Sequence, residues 1–377
     1  MKPLEDRLSP IIKWAGGKEK ELPNILPNMP VTKGRYIEPF VGGGAVALAV
    51  DSQDILINDK SKELILLYRM VKEGNRDFLK MIEAIDQNWK CLEQLSSDSQ
   101  EYLASLYRDF SRDRIDRHKV DSMVIEFVQQ RAGQFNSLLD TSIKAGLDNF
   151  VKEIRKNIVS KMGRMKKIEQ ERGKLPENDL LDNLECAFKS AFYMHLRYIY
   201  NRAKVFGISK PVFTAIFYFI RDYCYSSMFR YNKKGHFNVP YGGLSYNRKY
   251  LDRKIDYLRS PRLQNHMSRM KIFCLDFQDF LEQVEPAEED FIFFDPPYDS
   301  DFSTYARNSF GKDDQVRLNR IIRCLKSKFM LVIKNTELIA RLYPESNFRV
   351  QRFNKTYLVS FQNRNNKEAE HLMITNY

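Results

Sequence analysis

The sequence lacks an apolar run long enough to cross a lipid bilayer, and its amino terminus lacks an apolar signal core. The richest apolar stretch, Val212 to Ile220, is followed at once by Arg221 and Asp222, whereas a spanning helix needs about 20 apolar residues. Charged residues stand within the first few positions, which is not typical of a secretory signal. We therefore expect a cytoplasmic protein with no membrane partner.

Cysteine is also sparse and unpatterned. The five cysteines include no CxxC pair and have no histidine-rich neighbourhood: Cys91, Cys186, Cys224, Cys274 and Cys324. Disulfide frameworks and zinc sites both need closer, patterned spacing. We expect reduced, mostly buried thiols and no metal.

Acidic residues are scarce between Ala191 and Lys271. This stretch holds 16 lysines and arginines against 3 acids, an excess that accounts for the net charge of +12 on the 377-residue chain. Tyrosine and phenylalanine are interleaved through it, as on a surface that contacts phosphates and stacks on bases. The charge favours a polyanionic partner such as DNA. A solvated basic face on a helical region is the alternative.

Short apolar segments separated by glycines characterise residues 11–72. Tyr36–Phe40 predicts a strand that runs into the glycine turn Val41–Gly44, and Ala45–Val50 suits a following helix. Asp54–Asp59 predicts a second strand that ends on an acid. Strand, turn, helix and strand together predict a βαβ unit of a doubly wound sheet.

The middle of the chain has a mainly helical pattern from about residue 73 to residue 230. The stretch Asp121–Lys167 is charged and amphipathic with few helix breakers. Gly173–Asp179 predicts an internal loop, and Asn178 or Asp179 could cap the helix that follows.

Strands return near the carboxyl end. The short apolar runs Lys271–Leu275, Phe291–Phe294 and Phe329–Ile333 predict buried strands, and Gln315–Leu325 predicts a helix. We expect these strands to complete the sheet begun at the amino terminus. The predicted fold class is therefore α/β, with a catalytic domain at 1–72 and 265–377 and an inserted helical and hairpin domain at 73–264.

The sharpest chemical signal follows the second of these strands, at Asp295-Pro296-Pro297-Tyr298. A buried strand delivers an acid and two prolines to the carboxyl edge of the sheet, where doubly wound folds bind ligands. The prolines remove two amide donors and leave carbonyl oxygens to accept hydrogen bonds. Asp295 and the Pro296 carbonyl could hold the two hydrogens of one amine, and Tyr298 offers a surface on which an extruded base can stack.

This arrangement suits methyl transfer to an aromatic amine, whose lone pair is delocalised and weakly nucleophilic. Positioning and electrostatic stabilisation lower such a barrier without a metal or a covalent cysteine intermediate. The alternative is an ordinary Pro-Pro turn in which Asp295 serves as a cap. The placement directly after a hydrophobic strand favours the catalytic interpretation.

Several motifs in order resemble the Dam-type adenine-specific DNA methyltransferases of bacteria and phages. They are Lys13–Lys18, Glu38–Gly44, Asn58-Asp59, the hairpin Arg230–Gly242, Asp295–Tyr298, and Phe302–Tyr305 with Asn308–Phe310. The recognition region precedes the catalytic motif, as in the α arrangement of amino-methyltransferases. The resemblance implies a Rossmann-like fold that binds S-adenosylmethionine (AdoMet) and methylates N6 of a flipped adenine in double-stranded DNA.

The resemblance also implies roles for matching residues. Trp14 and Lys18 would contact AdoMet, with Lys18 at its carboxylate, and Asp59 would accept hydrogen bonds from the ribose hydroxyls. The remaining implied AdoMet contacts are Phe40, Gly42, Gly44, Asp276, Phe277 and Asp295. Each has a structural alternative: Trp14 as a core aromatic, Lys18 as a solvated side chain, the glycines as a common turn, and Asp59 as a helix cap.

The region from Glu73 to Tyr223 matches nothing specific in the family, so target recognition should lie there and in the hairpin. The candidate DNA contacts are Arg230, Asn232, Lys233 and Lys234, because arginine favours guanine and asparagine favours adenine in the major groove. The alternative for the hairpin is turn chemistry, which Asn232 and Gly235 would serve well. The target sequence stays open.

Four other functions compete with adenine methylation of DNA. The same fold methylates RNA adenine, the cytosine amine or a protein side chain in other enzymes, more often with asparagine in place of the first aspartate. A catalytically silent DNA-binding relative is the fourth alternative. The intact set of Lys18, Asp59, Asp295 and Tyr298 argues against silence. The biological setting is open among restriction–modification, replication marking and phage countermeasure, with a cognate restriction endonuclease as a candidate partner.

Overall fold

A computed structural model describes residues 7–137, 139, 143, 146–228, 230–298, 310–356 and 368–377. The strands are β1 (Tyr36–Glu38), β2 (Ile55–Asn58), β3 (Met270–Phe273), β4 (Phe291–Phe294), β5 (Lys328–Lys334), β6 (Arg349–Thr356) and β7 (Glu368–Thr375). The helices are α1 (Leu22–Ile25), α2 (Lys62–Lys72), α3 (Arg76–Asp98), α4 (Gln100–Ser111), α5 (Arg117–Gln130), α6 (Ala132–Ser137), α7 (Leu147–Arg172), α8 (Glu177–Asn201), α9 (Lys210–Tyr223), α10 (Asp252–Arg259), α11 (Pro261–Ser268), α12 (Phe277–Val284), α13 (Lys312–Cys324) and α14 (Glu337–Leu342).

The strands form one mixed sheet in the order β3-β2-β1-β4-β5-β7-β6. Strands β1 to β5 are parallel to one another, and β7 runs antiparallel to both β5 and β6. Ile37 at the centre of β1 pairs with Leu56 of β2 and with Ile292 of β4. The predicted α/β class is confirmed, and the strands after residue 270 complete the sheet begun at the amino terminus.

The central strands are mainly apolar because they are buried on both faces. Every residue of β1, β2 and β4 is buried, and parallel strands covered on two sides are continuous apolar runs. Their side chains join a core with α12, α13 and β5, in which Ile292, Phe294 and Leu331 are almost fully inaccessible to solvent. Polar residues directly after these strands therefore lie at the carboxyl edge of the sheet.

Two local predictions are wrong. Ala45–Val50 forms turns, with only isolated i→i+4 hydrogen bonds such as Leu48 N to Gly44 O, because about one turn of helix gains too little to offset nucleation. The loop before α8 forms as expected, but Asn178 and Asp179 do not cap the helix. They lie inside its first turn, and Pro176 occupies the cap position because its fixed φ suits the helix entry.

The chain divides into two compact units. The first comprises the described residues within 1–74, 229–235 and 258–377, which include the sheet, and the second comprises those within 75–228 and 236–257. The second unit is helical and lies inside the stretch 73–264 that the sequence marks as an insertion. Its core has the buried Trp89 ring at its centre, against Phe192, Phe219, Tyr223 and Tyr241.

Among the described residues, no helix is both long and apolar enough to cross a membrane. The five cysteines are free thiols. Only Cys186 and Cys224 of the five are buried, so the expectation of mostly buried thiols is wrong. Cys324 is exposed because it ends α13 at the surface.

Candidate active site

The carboxyl edge of the sheet gathers the polar residues of three neighbouring strands. Pro39 and Phe40 follow β1, Asp59 follows β2, and Asp295 follows β4. Because β2, β1 and β4 are adjacent and parallel, these residues leave the sheet at the same edge. This is the edge at which doubly wound folds bind ligands.

A buried lysine joins the amino-terminal motif to the Asp-Pro-Pro-Tyr turn. Lys18, only 2% exposed, donates from Nζ to Asp295 Oδ1. The same ammonium donates to the Gly16 carbonyl at 2.9 Å and to the Tyr298 hydroxyl at 3.3 Å. Its three hydrogens therefore have three protein acceptors, and the solvated alternative for Lys18 is wrong. The predicted contact of Lys18 with the AdoMet carboxylate stays a prediction.

The turn itself is held from two sides. The Gln315 side chain, fully buried at the start of α13, donates from Nε2 to the Pro297 carbonyl at 2.9 Å. The Tyr298 ring meets the His371 ring edge-on, with 5.5 Å between centroids. Pro296, whose carbonyl the sequence assigns to the substrate amine, thus lies between two anchored residues. Fixed backbone of this kind positions a reacting amine without further reorganisation.

A second buried carboxyl group at this edge was missed from the sequence. Glu38 ends β1 and is 2% exposed, and its Oε2 accepts a hydrogen bond from the Tyr36 hydroxyl at 2.6 Å. Burial raises the pKa of Glu38 well above its ordinary value; the Tyr36 hydrogen bond opposes the rise and the Asp295 carboxylate adds to it. The sequence signal that identifies Asp295 is an acid at the end of a buried strand, and Glu38 has the same signal.

The glycine turn after β1 is tied to the acid after β2. Asp59 accepts from the Gly42 amide at 3.2 Å and from the Ser61 amide at 2.8 Å. Gly44 has φ of +81°, and a Cβ there would lie 2.3 Å from the Tyr68 hydroxyl oxygen. The turn therefore requires glycine at position 44 for both its backbone conformation and its packing.

Trp14 lies against this turn, since a Cβ on Gly42 would be 2.9 Å from Trp14 Cδ1. The Trp14 side chain is half-buried. Trp14 therefore has a structural role in packing against the glycine turn. Part of its ring stays accessible.

Three phenylalanines form a cluster near the same edge. The ring centroids of Phe40, Phe277 and Phe310 are 5.4 to 5.8 Å apart. Phe277 is buried, and the Arg317 guanidinium lies 4.3 Å from its ring centroid. A partly buried aromatic cluster is a suitable wall for a purine ring.

Asp276 is engaged in folding contacts. It caps α12 and pairs with Arg317 through two hydrogen bonds of 2.9 and 3.1 Å, and with Lys60 at 3.3 Å. Burial opposes ionisation, but the Arg317 hydrogen bonds and the Gln278 amide outweigh it and lower the pKa of Asp276. The contact of Asp276 with the AdoMet adenine, which the resemblance implies, stays a prediction.

The candidate DNA contacts lie on an exposed turn. Arg230, Asn232, Lys233 and Lys234 all have exposed side chains. Asn232 Oδ1 accepts from the Lys234 amide at 3.0 Å, and the Gly235 amide donates to the Asn232 carbonyl at 2.8 Å. Asn232 and Gly235 thus form the turn, as the alternative interpretation expects. Contact of the four exposed side chains with bases or phosphates stays a prediction.

Two motif segments cannot be compared with the structure. Phe302–Tyr305 and Asn308-Ser309 lie outside the described residues. Within the described part of the chain, no group of three or more histidine, cysteine, aspartate or glutamate side chains is arranged to hold a metal ion.

Comparison with known proteins shows similarity to DNA methyltransferases. The family model described as D12 class N6 adenine-specific DNA methyltransferase matches residues 14–171 and 149–359. The chain is 26% identical to the type II methyltransferase M.MjaIII of Methanocaldococcus jannaschii, over 98% of this chain and 99% of that protein. It is 24% identical to the type II methyltransferase M1.LlaDCHI of Lactococcus lactis subsp. cremoris, over 98% and 96%. A DNA adenine methylase of Vibrio cholerae is 21% identical over 92% and 88%.

Proposed function

The chain belongs to the D12 class of N6 adenine-specific DNA methyltransferases, and we propose that it transfers the methyl group from AdoMet to an adenine amine held at Asp295–Tyr298. Family membership confirms the resemblance drawn from the motifs and makes the chain a DNA adenine methyltransferase. The observation that carries the assignment of the site is the contact of Lys18 with Asp295, because it joins the amino-terminal motif to the Asp-Pro-Pro-Tyr turn 277 positions later.

The amine is oriented by acceptors on one turn. Asp295, with its side chain 19% exposed, and the Pro296 carbonyl each accept one hydrogen of the amine. Accepting both hydrogens favours a tetrahedral nitrogen and directs its lone pair at the methyl group. Tyr298, fixed by His371 and the Lys18 ammonium, supports the flipped base by stacking.

The residues at the sheet edge fit AdoMet. The Asp59 carboxylate suits the ribose diol, and the phenylalanine cluster suits its purine. The Lys18 ammonium would have to exchange one of its three protein acceptors to contact the AdoMet carboxylate. When bound, AdoMet supplies an electrophilic sulfonium methyl group. The glycine turn beside these residues is held in place by packing, because a side chain at Gly42 would meet Trp14 and one at Gly44 would meet Tyr68.

AdoMet affinity is expected to fall as the pH is lowered through about 6. Burial raises the pKa of Asp59 to about 6, against opposing hydrogen bonds from the Ser61 and Gly42 amides. Above this pH the carboxylate accepts charge-assisted hydrogen bonds from the ribose. Below it the neutral group binds more weakly, by roughly tenfold in Kd. Calorimetric titration of AdoMet from about pH 5 to about pH 8 measures this dependence.

The matched control is Asp59→Asn, which should bind AdoMet weakly with little change over the same pH range. A wild-type affinity that does not vary across this range would remove Asp59 from the ribose site.

We propose that the helical second unit and the exposed turn Arg230–Lys234 recognise the DNA target. Support comes from the excess of basic residues between Ala191 and Lys271 and from the exposure of the turn's side chains. M.MjaIII and M1.LlaDCHI are named as type II methyltransferases. A cognate restriction endonuclease is therefore the partner to seek first.

The direct test is to incubate the purified chain with AdoMet and unmethylated genomic DNA, then to sequence single molecules. Methyladenine at one recurring site is the expected result and supplies the recognition sequence. If a control methyltransferase marks the same DNA and this chain marks none, the proposed site assignment fails. RNA substrates would then be tested for methyl transfer, and calorimetric titration of AdoMet would test the silent DNA-binding role.

A further inference from the structure

Three side chains on α8 form a stripe that contacts a single backbone segment. Tyr193, Arg197 and Asn201 are spaced four residues apart, which places them on one face of the helix. Each bonds to backbone atoms of residues 237–239, the segment that directly follows the exposed turn. The three α8 residues and residues 237–239 belong to the second unit, whereas the turn residues 230–234 are grouped with the first.

Asn201 makes the most specific of these contacts. Its Nδ2 donates to the Phe237 carbonyl at 2.9 Å, and its Oδ1 accepts from the Phe237 amide at 2.8 Å. The carboxamide thus replaces the donor and acceptor of a neighbouring strand. Phe237 is 1% exposed, and buried backbone groups require such partners.

The other two side chains converge two residues further along the segment. The Tyr193 hydroxyl donates to the Val239 carbonyl at 3.0 Å, and Arg197 Nη1 donates to the same oxygen at 2.9 Å. One carbonyl can accept both because it has two lone pairs. Val239 is fully buried, so both backbone contacts are shielded from water.

The segment is fixed again beyond residue 239. The Tyr225 amide donates to the Pro240 carbonyl at 2.9 Å, and the Gly242 amide donates to the Tyr223 carbonyl at 3.0 Å. These bonds flank the bridge between Cys224 and Tyr241. Residues 237–242 are therefore held on both sides, and the exposed turn is covalently continuous with the Asn201 end of this segment.

We infer that the α8 stripe is a positioning element that sets how well the enzyme discriminates its target from similar DNA sequences. None of its three members needs to touch a base. They fix residues 237–239, which lie three residues after Lys234 in the chain, and bidentate base contacts by the turn depend on a well-defined backbone. The inference rests on the proposed recognition role of the exposed turn.

The test compares Asn201→Ala with the wild-type enzyme and with Asn183→Ala. Asn183 is the matched control, because it lies on the same helix and its Nδ2 donates to Asp179 O of that helix, at 2.7 Å. Wild-type enzyme first defines the recurring site in genomic DNA. Turnover is then measured on that site and on duplexes with single base-pair changes.

Asn201→Ala should lower the ratio of kcat/KM on the recurring site to that on the altered sites by roughly five- to tenfold. AdoMet affinity and kcat on the recurring site should stay near the wild-type values, while the melting temperature should fall because the Phe237 amide and carbonyl lose their partners. Asn183→Ala should keep the wild-type ratio. A merely structural contact would reduce folding or turnover on all duplexes alike, leaving the ratio unchanged.

Asn201→Asp provides a second variant that preserves the side-chain shape. It keeps the acceptor for the Phe237 amide, loses the donor, and places an oxygen opposite the Phe237 carbonyl, so the ratio should again fall. An unchanged ratio in Asn201→Asp overturns the inference, whether or not Asn201→Ala folds. If the wild-type enzyme itself marks no recurring site, the proposed function fails and the inference falls with it.

Discussion

Replacing Asp295 with alanine is expected to lower kcat by at least about a hundredfold, a loss comparable to that of a preorganised transition-state contact. The carboxylate accepts a hydrogen of the target amine in the proposed mechanism, and its removal leaves the amine planar and poorly oriented. AdoMet and DNA binding should change little, because neither depends mainly on this oxygen. Single-turnover kinetics with pre-bound DNA, alongside equilibrium binding of each ligand, separates the two effects.

Asp295→Asn refines this result. An amide oxygen still accepts one hydrogen bond, so this variant should be impaired less than the alanine variant. The order wild type, asparagine, alanine in decreasing kcat is expected. Near-normal turnover by Asp295→Ala would remove the residue from the chemistry.

The opposite end of β4 supplies a control for damage to the strand. Asp290 is 2% exposed and holds Arg35 through a 2.6 Å ion pair and a 2.7 Å bond from the Arg35 amide. Asp290→Ala should destabilise the fold by about 2 kcal/mol or more, as expected for lost hydrogen bonds to a charged group. Its kcat per folded molecule should match that of the wild type, in contrast to Asp295→Ala.

The parts of the fold that could be predicted from the sequence are the strands that are buried on both faces of the sheet. Strands β1, β2 and β4 have no solvent-facing positions, so each is a short, mainly apolar run, and a polar residue ends it or directly follows it. That ending located Asp59 and Asp295. Glu38 carries the same signal, but it was assigned to the glycine motif Glu38–Gly44 and was not recognised as a separate acid of the site.

The antiparallel pair β6 and β7 could not be predicted for the opposite reason. β6 is an edge strand with Arg349, Arg352 and Asn354 exposed, so it has no apolar run. In β7 only Leu372, Met373 and Ile374 form a continuous buried apolar stretch, which is short for recognition by pattern. The pairing of these strands depends on long-range contacts that local periodicity does not encode.

The Lys18–Asp295 contact was equally beyond local patterns, since 277 positions separate the two residues. Each motif predicted a role at the site, but not which partner each side chain would have. Lys18 was assigned to a ligand carboxylate on the basis of the resemblance. The structure adds a protein carboxylate as its partner, and this raises the question of which contact matters for catalysis.

Lys18→Met is expected to show which Lys18 contact matters for catalysis. AdoMet affinity and kcat should each fall by at least about tenfold. Methionine keeps much of the aliphatic length but removes the ammonium that contacts Asp295 and the Tyr298 hydroxyl. The Asp295 carboxylate then lacks that cation and its orientation, so turnover falls. AdoMet binding falls because the ammonium is also the proposed partner of its carboxylate. Calorimetry and single-turnover kinetics measure the two losses separately.

Lys20→Met is the matched control, because Lys20 lies two residues away, in the short 3-10 helix Glu19–Glu21 that directly follows Lys18, and is exposed. It should behave as the wild type. A double-mutant cycle between Lys18→Met and Asp295→Ala should show a coupling of about 1 kcal/mol or more, whereas independent sites would give additive losses. If Lys18→Met binds AdoMet normally and only kcat falls, Lys18 acts through Asp295 alone and its assignment to the AdoMet carboxylate is wrong.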